Sequence, residues 1–408
     1  MIGAVRERDA QAVVCFLRRR VRSLSQEALA RMCGVAQSTI TRAEAGRGLT
    51  DRRKAMEALR GLGAPLDSVS SEKLGYLPSH APFEPAGPML NLDEIASALA
   101  PHAVPSTTTA PFSLAELAEE TRQAKADYQA CRYAAAARRI PRLLNALEKS
   151  SSDHESAIHQ RLYHVKTDAY HVTASVLLKC DERGLAWLAA DRSYRAAQTA
   201  GDPVLIGSSA RVYVRALMRE RRYRTAADLA TAAAQRVQRD TDTPTPASLS
   251  VYGALLLSGA VAAAKREDRD AALSFLTEAQ EVARRLGGDH NHRWTAFGPT
   301  NVLLHRVSTA VELGDAGQAV EQARSIHPEH LPLTERRVVL HVDTARALAQ
   351  WGKLREAYAE LTEAENLAPE ELKERPRVHA LIEELRTRSS GHLRRGLTQL
   401  ADRVGALR

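Results

Sequence analysis

The chain has 408 residues, 4 % of them aromatic, with 57 Arg/Lys against 49 Asp/Glu and four cysteines. That length exceeds what one hydrophobic core covers, so two or three domains are expected. Few aromatics beside abundant Ala, Leu and Arg favour stacked helices over sheets, and the scattered Cys15, Cys33, Cys131 and Cys180 exclude a CxxC redox or zinc framework.

Reduced, buried thiols are the expectation for those cysteines. No secretory-type apolar segment opens the sequence, and no apolar run approaches the roughly 18–20 residues of a membrane span. A soluble, cytoplasmic protein with no membrane contact is predicted. Charge is unevenly placed. Residues 1–62 hold thirteen Arg/Lys and six Asp/Glu, which is +7 of the formal +8. Of the 57 basic residues 48 are Arg, a coding bias that raises charge everywhere and leaves the asymmetry unexplained. A basic end of this kind suits a phosphate-bearing partner.

In chain order, residues 9–22 read as a first helix with Ala12, Val13, Phe16 and Leu17 on one face. Leu24–Gly46 (LSQEALARMCGVAQSTITRAEAG) then has the punctuation of a helix, a turn and a helix. Ser25 caps the first helix, whose apolar face is Ala28, Leu29 and Met32. Gly34 supplies the turn, where φ > 0 suits glycine, and Val35 plugs it. The second helix runs from about Gln37 to Ala45 with Ile40 inward, and Gly46 stops it. Residues 51–62 read as a further helix with Met56 and Leu59 inward, and Leu66 and Val69 start one more. Five short helices would make a compact domain over residues 1–72.

Seven prolines and a Ser/Thr run mark residues 73–112 as an extended linker, with one brief helix at Leu92–Leu99. From residue 113 to 408 the periodicity is helical. Turns recur with an Ala four to six residues on, and Ala226, Ala272, Ala319 and Ala357 as anchors give steps of 46, 47 and 38. A weaker copy lies at 131–140. Helix pairs at such a period read as an α-solenoid, because no pair can bury its apolar face alone. Residues 376–389 and 393–407 read as two capping helices. The fold class is thus all-α: a small five-helix domain, a linker and a solenoid.

Candidate chemistry is sparse. Gly287–His292 (GGDHNH) invites a metal, but its spacing suits a solvated loop better. His154, His159, His164 and His171 scatter around a helix. No phosphate loop, nucleophile elbow or carboxylate pair stands out, so neither a cofactor nor an enzymatic activity is expected. In Arg293–His305, Phe297, Gly298 and Pro299 interrupt the helical pattern. Thr300 is placed to cap the next helix, and Asn301 and His305 share a face one turn apart. With Arg211, Arg215, Tyr252 and Asp343 they form a candidate ligand-binding set on an inner surface. The alternative is that Asn301 and His305 simply bond neighbouring helices.

Leu24, Ser25, Gln26, Glu27, Leu29, Ala30, Gly34, Val35, Ile40, Glu44 and Gly46 closely resemble the pattern of the phage-repressor (XRE) family of helix-turn-helix DNA-binding proteins. The resemblance covers about 55 residues, and Ala43 departs from it where the family often has a bulky apolar residue. The remainder is similar to regulators that join this DNA reader to tetratricopeptide-like repeats, some of which sense peptides. The resemblance implies that Gln37, Ser38 and Thr39, with Arg42 one turn on, face base edges, and that Thr41 belongs to the same DNA-binding set. Gln and Arg can bond bidentately to adenine and guanine. It places Gln26, Arg47, Arg52 and Arg53 on phosphates. The function so implied is sequence-specific transcriptional regulation on a double-stranded operator by a homodimer. Its repeats would dimerise and sense a peptide, small-molecule or protein partner. The alternative is an adaptor whose repeats hold a partner protein, with DNA binding secondary.

Overall fold

In the computed structural model, the structure describes residues 10, 13–15, 25–45, 49, 55, 58, 59, 62, 92–100, 112–150 and 156–406. The chain divides into two compact units, residues 1–85 and 86–408. Among the described residues the secondary structure is helical with no strand.

In the first unit α1 spans Gln26–Cys33 and α2 spans Gln37–Glu44. Ser25 Oγ accepts from the Ala28 amide at 3.0 Å, an N-cap that satisfies one of the orphan donors of a helix start. Gly34 lies at φ 65°, ψ 28°, the left-handed turn expected of it. Val13, Val14, Leu29, Ala30, Cys33, Ile40, Ala43 and Leu59 form one buried cluster with Val35 packed against it. Met32 departs from expectation. It is 46 % exposed, and Cys33, one residue on, takes the inward position. Ala43 is fully buried and its carbonyl accepts from the Cys15 thiol at 3.5 Å, so a small residue fits because another element comes close. The helices expected over 51–62 and beyond lie largely outside the described residues, as does most of 9–22.

The second unit begins before residue 113. Helix α3 (Leu92–Leu99) buries Ile95, Ala98 and Leu99 in the same apolar cluster as the first helix pair of the stack, so this segment is packed structure within the predicted linker. Six helix pairs follow: α4 (Leu114–Gln129) with α5 (Tyr133–Lys149), α6 (Ser156–Lys179) with α7 (Arg183–Ala200), and α8 (Pro203–Arg219) with α9 (Tyr223–Arg239). Then come α10 (Pro246–Ala264) with α11 (Arg269–Leu286), α12 (Pro299–Glu312) with α13 (Ala316–Arg324), and α14 (Thr334–Gln350) with α15 (Leu354–Leu367). A short α16 (Pro369–Lys373), then α17 (Pro376–Arg388) and α18 (Gly391–Val404), close the unit.

All six pairs share one turn. Cys131, Asp181, Arg221, Glu267, Gly314 and Gly352 each adopt a left-handed conformation. The next residue's amide (Arg132, Glu182, Arg222, Asp268, Asp315, Lys353) donates to the carbonyl five residues back at 2.8–3.0 Å. This closes the end of the first helix as a Schellman-type turn does. Five residues after the left-handed position stands a fully buried alanine: Ala136, Ala186, Ala226, Ala272, Ala319 and Ala357. Each is the fourth residue of its helix, where a larger side chain would force the paired helices apart. The sequence anchors at 226, 272, 319 and 357 are therefore equivalent. A sixth copy stands at Ala186, after the turn at Asp181.

One apolar expectation is corrected. Helix α10 is 19 residues long with mean hydropathy 1.7, enough by length and composition to cross a membrane. Of its apolar window 78 % is buried inside the stack, which accounts for that composition. Gly207 and Gly253 let its neighbours approach. A Cβ on Gly253 would sit 1.9 Å from Cζ of Phe297, and one on Gly207 would sit 2.4 Å from Val237.

The stack curves far enough for its first and last parts to meet. Tyr133 and Cys131 share an apolar cluster with residues from Leu304 to Val404. Tyr133 donates its hydroxyl to Glu371, and Lys179 Nζ lies 2.9 Å from the same carboxylate. The first helices of the pairs thereby surround an inner cavity.

Candidate nucleic-acid interface and inner cavity

Helix α2 has a polar outer face because its apolar content is limited to Ile40 and Ala43, both buried. Gln37, Ser38, Thr41 and Arg42 are exposed and Thr39 is half-buried. The Thr41 hydroxyl donates to Gln37 O at 3.2 Å, and Arg42 Nε donates to Ser38 O at 3.1 Å. Gln26, in the first turn of α1, is tied to α2: its Nε2 donates to Glu44 at 2.5 Å, and Thr41 Oγ1 donates to its Oε1 at 3.3 Å. The amides of Gln26 and Glu27 at the start of α1 have no acceptor within the helix, and such a terminus attracts a phosphate. Gln26, Gln37, Thr41 and Arg42 thus form one continuous polar surface. Arg47, Arg52 and Arg53 lie outside the described residues.

The inner cavity of the second unit has a volume of about 280 Å³. Arg211, Arg215, Asn301, His305 and Asp343 all line it, so five of the six expected ligand residues come together. Tyr252 does not. Its hydroxyl donates to Glu278, and its ring packs on the cluster around Leu255. Helix α12 starts differently from expectation. Gly298 is its N-cap, and Asp289 accepts from the Thr300 amide at 3.0 Å and from the Thr300 hydroxyl at 2.5 Å. The cap therefore comes from the preceding loop, not from Thr300.

That loop is structured. The His290 amide donates to Phe297 O at 3.0 Å, and the Asn291 amide side chain donates to Gln129 at 2.8 Å. The remaining histidines of the α6 region are dispersed: His159 packs on Tyr163, His164 lies 3.7 Å from Asp202, and His171 lines the cavity, while His154 is outside the described residues. Among the described residues no three His, Cys, Asp or Glu groups converge to hold a metal.

Charge around the cavity is mostly matched. Lys125 and Arg293 share Asp168 at 2.6 and 2.8 Å. Lys179 faces Glu335 and Glu371 at 3.3 and 2.9 Å, and Arg375 joins Glu371 at 2.6 Å. Glu312 takes Lys265 at 2.7 Å and Arg346 at 2.8 Å, and Asp343 takes Arg346 at 3.0 Å. Arg336 lies 3.5 Å from Glu335 and donates to Thr295 O at 3.2 Å.

Arg211 and Arg215 stand apart from this pairing. With Arg219 they recur every four residues along one face of α8, where like charges repel. Arg211 meets only His171 Nε2, at 3.3 Å. Arg215 donates to Ser175 Oγ at 3.3 Å and to the Tyr128 hydroxyl at 3.1 Å. Neither reaches a carboxylate among the described residues. Burial, with Arg215 and Arg336 nearby, pushes the Arg211 guanidinium down to about 9. Burial, reinforced by Arg336, pushes His305 down to about 4, and burial beside Lys125 and Arg211 pushes His171 down as well. Both imidazoles are therefore neutral near pH 7. Sequence reasoning missed Lys125, Lys179, Trp294 and Arg336. The four-residue spacing of Arg211, Arg215 and Arg219 was the available signal for a charged inner face.

Residues 18–69 match the helix-turn-helix family model, of the phage-repressor (XRE) type. The first unit is a DNA-binding helix-turn-helix domain, a non-enzymatic class. The match supports a DNA-binding regulator, with an N-terminal helix-turn-helix region and a C-terminal helical repeat-like stack. No curated protein matches the chain.

Proposed function

We propose that the chain is a sequence-specific transcriptional regulator of the phage-repressor type. In this reading α2 enters the major groove. Gln37, Ser38, Thr39 and Arg42 read base edges, and Gln26 and the start of α1 hold a phosphate. The carrying observation is the exposed polar face of α2 on a helix whose only buried residues are Ile40 and Ala43. One such helix covers too few base pairs for genomic specificity, so two copies act as a homodimer on an inverted repeat. The stack supplies the dimer contacts and senses an effector: its inner cavity is polar and lined by residues of the second unit. A ligand regulates by binding one arrangement of the two readers better than the other. The four free cysteines accord with a cytoplasmic setting.

The test is fluorescence anisotropy on a selected operator with the wild type and with Gln37→Ala plus Arg42→Ala. The expected result is at least a tenfold loss on the operator, little change on random duplex, and unchanged helicity. Unaltered sequence preference in the variant would overturn the readout. Binding with no sequence preference in either protein would favour the adaptor reading instead.

A further inference from the structure

The cavity of the stack contains an arrangement that folding alone does not account for. Arg211 is 9 % exposed, has no carboxylate partner, and leaves its Nε without any hydrogen-bond acceptor. Arg215, one turn away on the same face, bonds only neutral hydroxyls. A buried cation without an anion is strongly unfavourable, and adjacent cations make it worse. Lys125, Lys179, Lys265, Arg346 and Arg375 at this cavity are balanced by Asp168, Glu312, Glu335, Asp343 or Glu371, and Arg219 lies 3.8 Å from Asp181. Asn301 is 4 % exposed and its Oδ1 has no donor, and the buried Nδ1 of His171 is also unpartnered. The residues that carry these orphaned atoms line a cavity of about 280 Å³, just under the lower bound of roughly 300 Å³ for ligand pockets. That space suits a compact molecule better than an extended peptide.

We propose that this cavity binds a small phosphorylated molecule, its phosphate held by Arg211 and Arg215 from one wall and by Arg336 from the other, with Asn301 accepting from a donor on the ligand. Arg211 and Arg215 of α8 and Arg336 of α14 line the same cavity, and a tetrahedral, doubly charged phosphate offers more acceptor oxygens and more charge to several guanidinium forks than a single carboxylate does. The neutral His171 and His305 add hydrogen bonds without adding charge. Because α8 and α14 lie in pairs three and six of the stack, the ligand joins distant parts of the curve, which couples occupancy to curvature. The proposal rests on the stack being the sensing part of the regulator and names the chemistry that it senses.

The experiment uses the full-length chain without DNA, so its outcome is independent of operator recognition. Thermal unfolding and calorimetric titration are run with inorganic phosphate, pyrophosphate, glucose 6-phosphate and trialanine, against sodium chloride at matched ionic strength. The expected result is a saturable rise in Tm of about 3 °C or more with pyrophosphate or glucose 6-phosphate, a smaller one with phosphate, and none with trialanine. Arg211→Met and Arg215→Met each abolish the rise. Arg211→Met also raises the Tm of the ligand-free protein, since it removes an uncompensated buried charge. A residue kept only for packing would give a lower Tm. Arg211→Lys, which retains the charge but not the fork, weakens the response at least tenfold. A response to trialanine alone, one matched by chloride, or one that survives both Met variants overturns the proposal.

Discussion

Lys179 Nζ lies 2.9 Å from Glu371 Oε1, joining the second helix pair to the capping segment across 192 residues of sequence. Both side chains are buried, and Glu371 also receives Tyr133 and Arg375. This carboxylate therefore closes the curve of the stack on itself.

Removing it should be costly. Glu371→Gln leaves Lys179 and Arg375 short of an anion in a buried site, and breaking such a pair costs about 3–5 kcal/mol. Denaturant unfolding followed by circular dichroism should show that loss. Adding Lys179→Met to Glu371→Gln should recover part of it, because the second change removes one of the stranded charges.

The cavity histidine gives a pH dependence of definite sign. His305 has a folded pKa near 4 against the ordinary 6.5, so the unfolded chain binds the extra proton first. Stability contributed by the neutral imidazole is present above pH 6.5 and is lost as pH falls from about 6.5 to about 4, by up to roughly 3 kcal/mol. His305→Gln should flatten that part of the stability profile. A profile unchanged by the substitution would contradict the assignment.

Phe297 and Gly253 are a fitted pair. Phe297 is fully buried, and a methyl group on Gly253 would meet its ring at 1.9 Å. Gly253→Ala should cost about 1–3 kcal/mol by overpacking, and Phe297→Ala about 3–5 kcal/mol by leaving a cavity. Because Phe297 anchors the loop that carries Trp294 and Thr295 to the inner cavity, both variants should also weaken the pyrophosphate response.

The buried alanines offer a test of the repeat. Ala186→Leu and Ala319→Leu put a larger side chain at equivalent positions of two pairs. Each should lower stability by about 1–3 kcal/mol. An effect at Ala319 alone would mean that the pair around Ala186 is not equivalent to the others.

How far this was legible from sequence depends on what each feature leaves in the composition. Ser25, Gly34 and Ile40 are local signals, and each sits in the role its type dictates. The Ala anchors at 226, 272, 319 and 357 are also local, since a close helix contact admits little else. Met32 and Cys33 were exchanged because both are apolar and only the rotation of α1 decides between them. The role of Glu371 was invisible: its partners lie up to 238 residues away, and only the curvature of the stack brings them together. Of the six residues named as candidates for an inner face, Arg211, Arg215, Asn301, His305 and Asp343 line one cavity, whereas Tyr252 is bonded to Glu278.

The most direct test of the regulator reading is selection of bound duplexes from random DNA by the full-length chain at moderate salt. The account predicts enrichment of an inverted repeat with half-sites about one helical turn or more apart, and a shift in the selected half-site when Gln37 and Arg42 are changed. Absence of any enriched sequence, or an enriched sequence indifferent to those two residues, would contradict it.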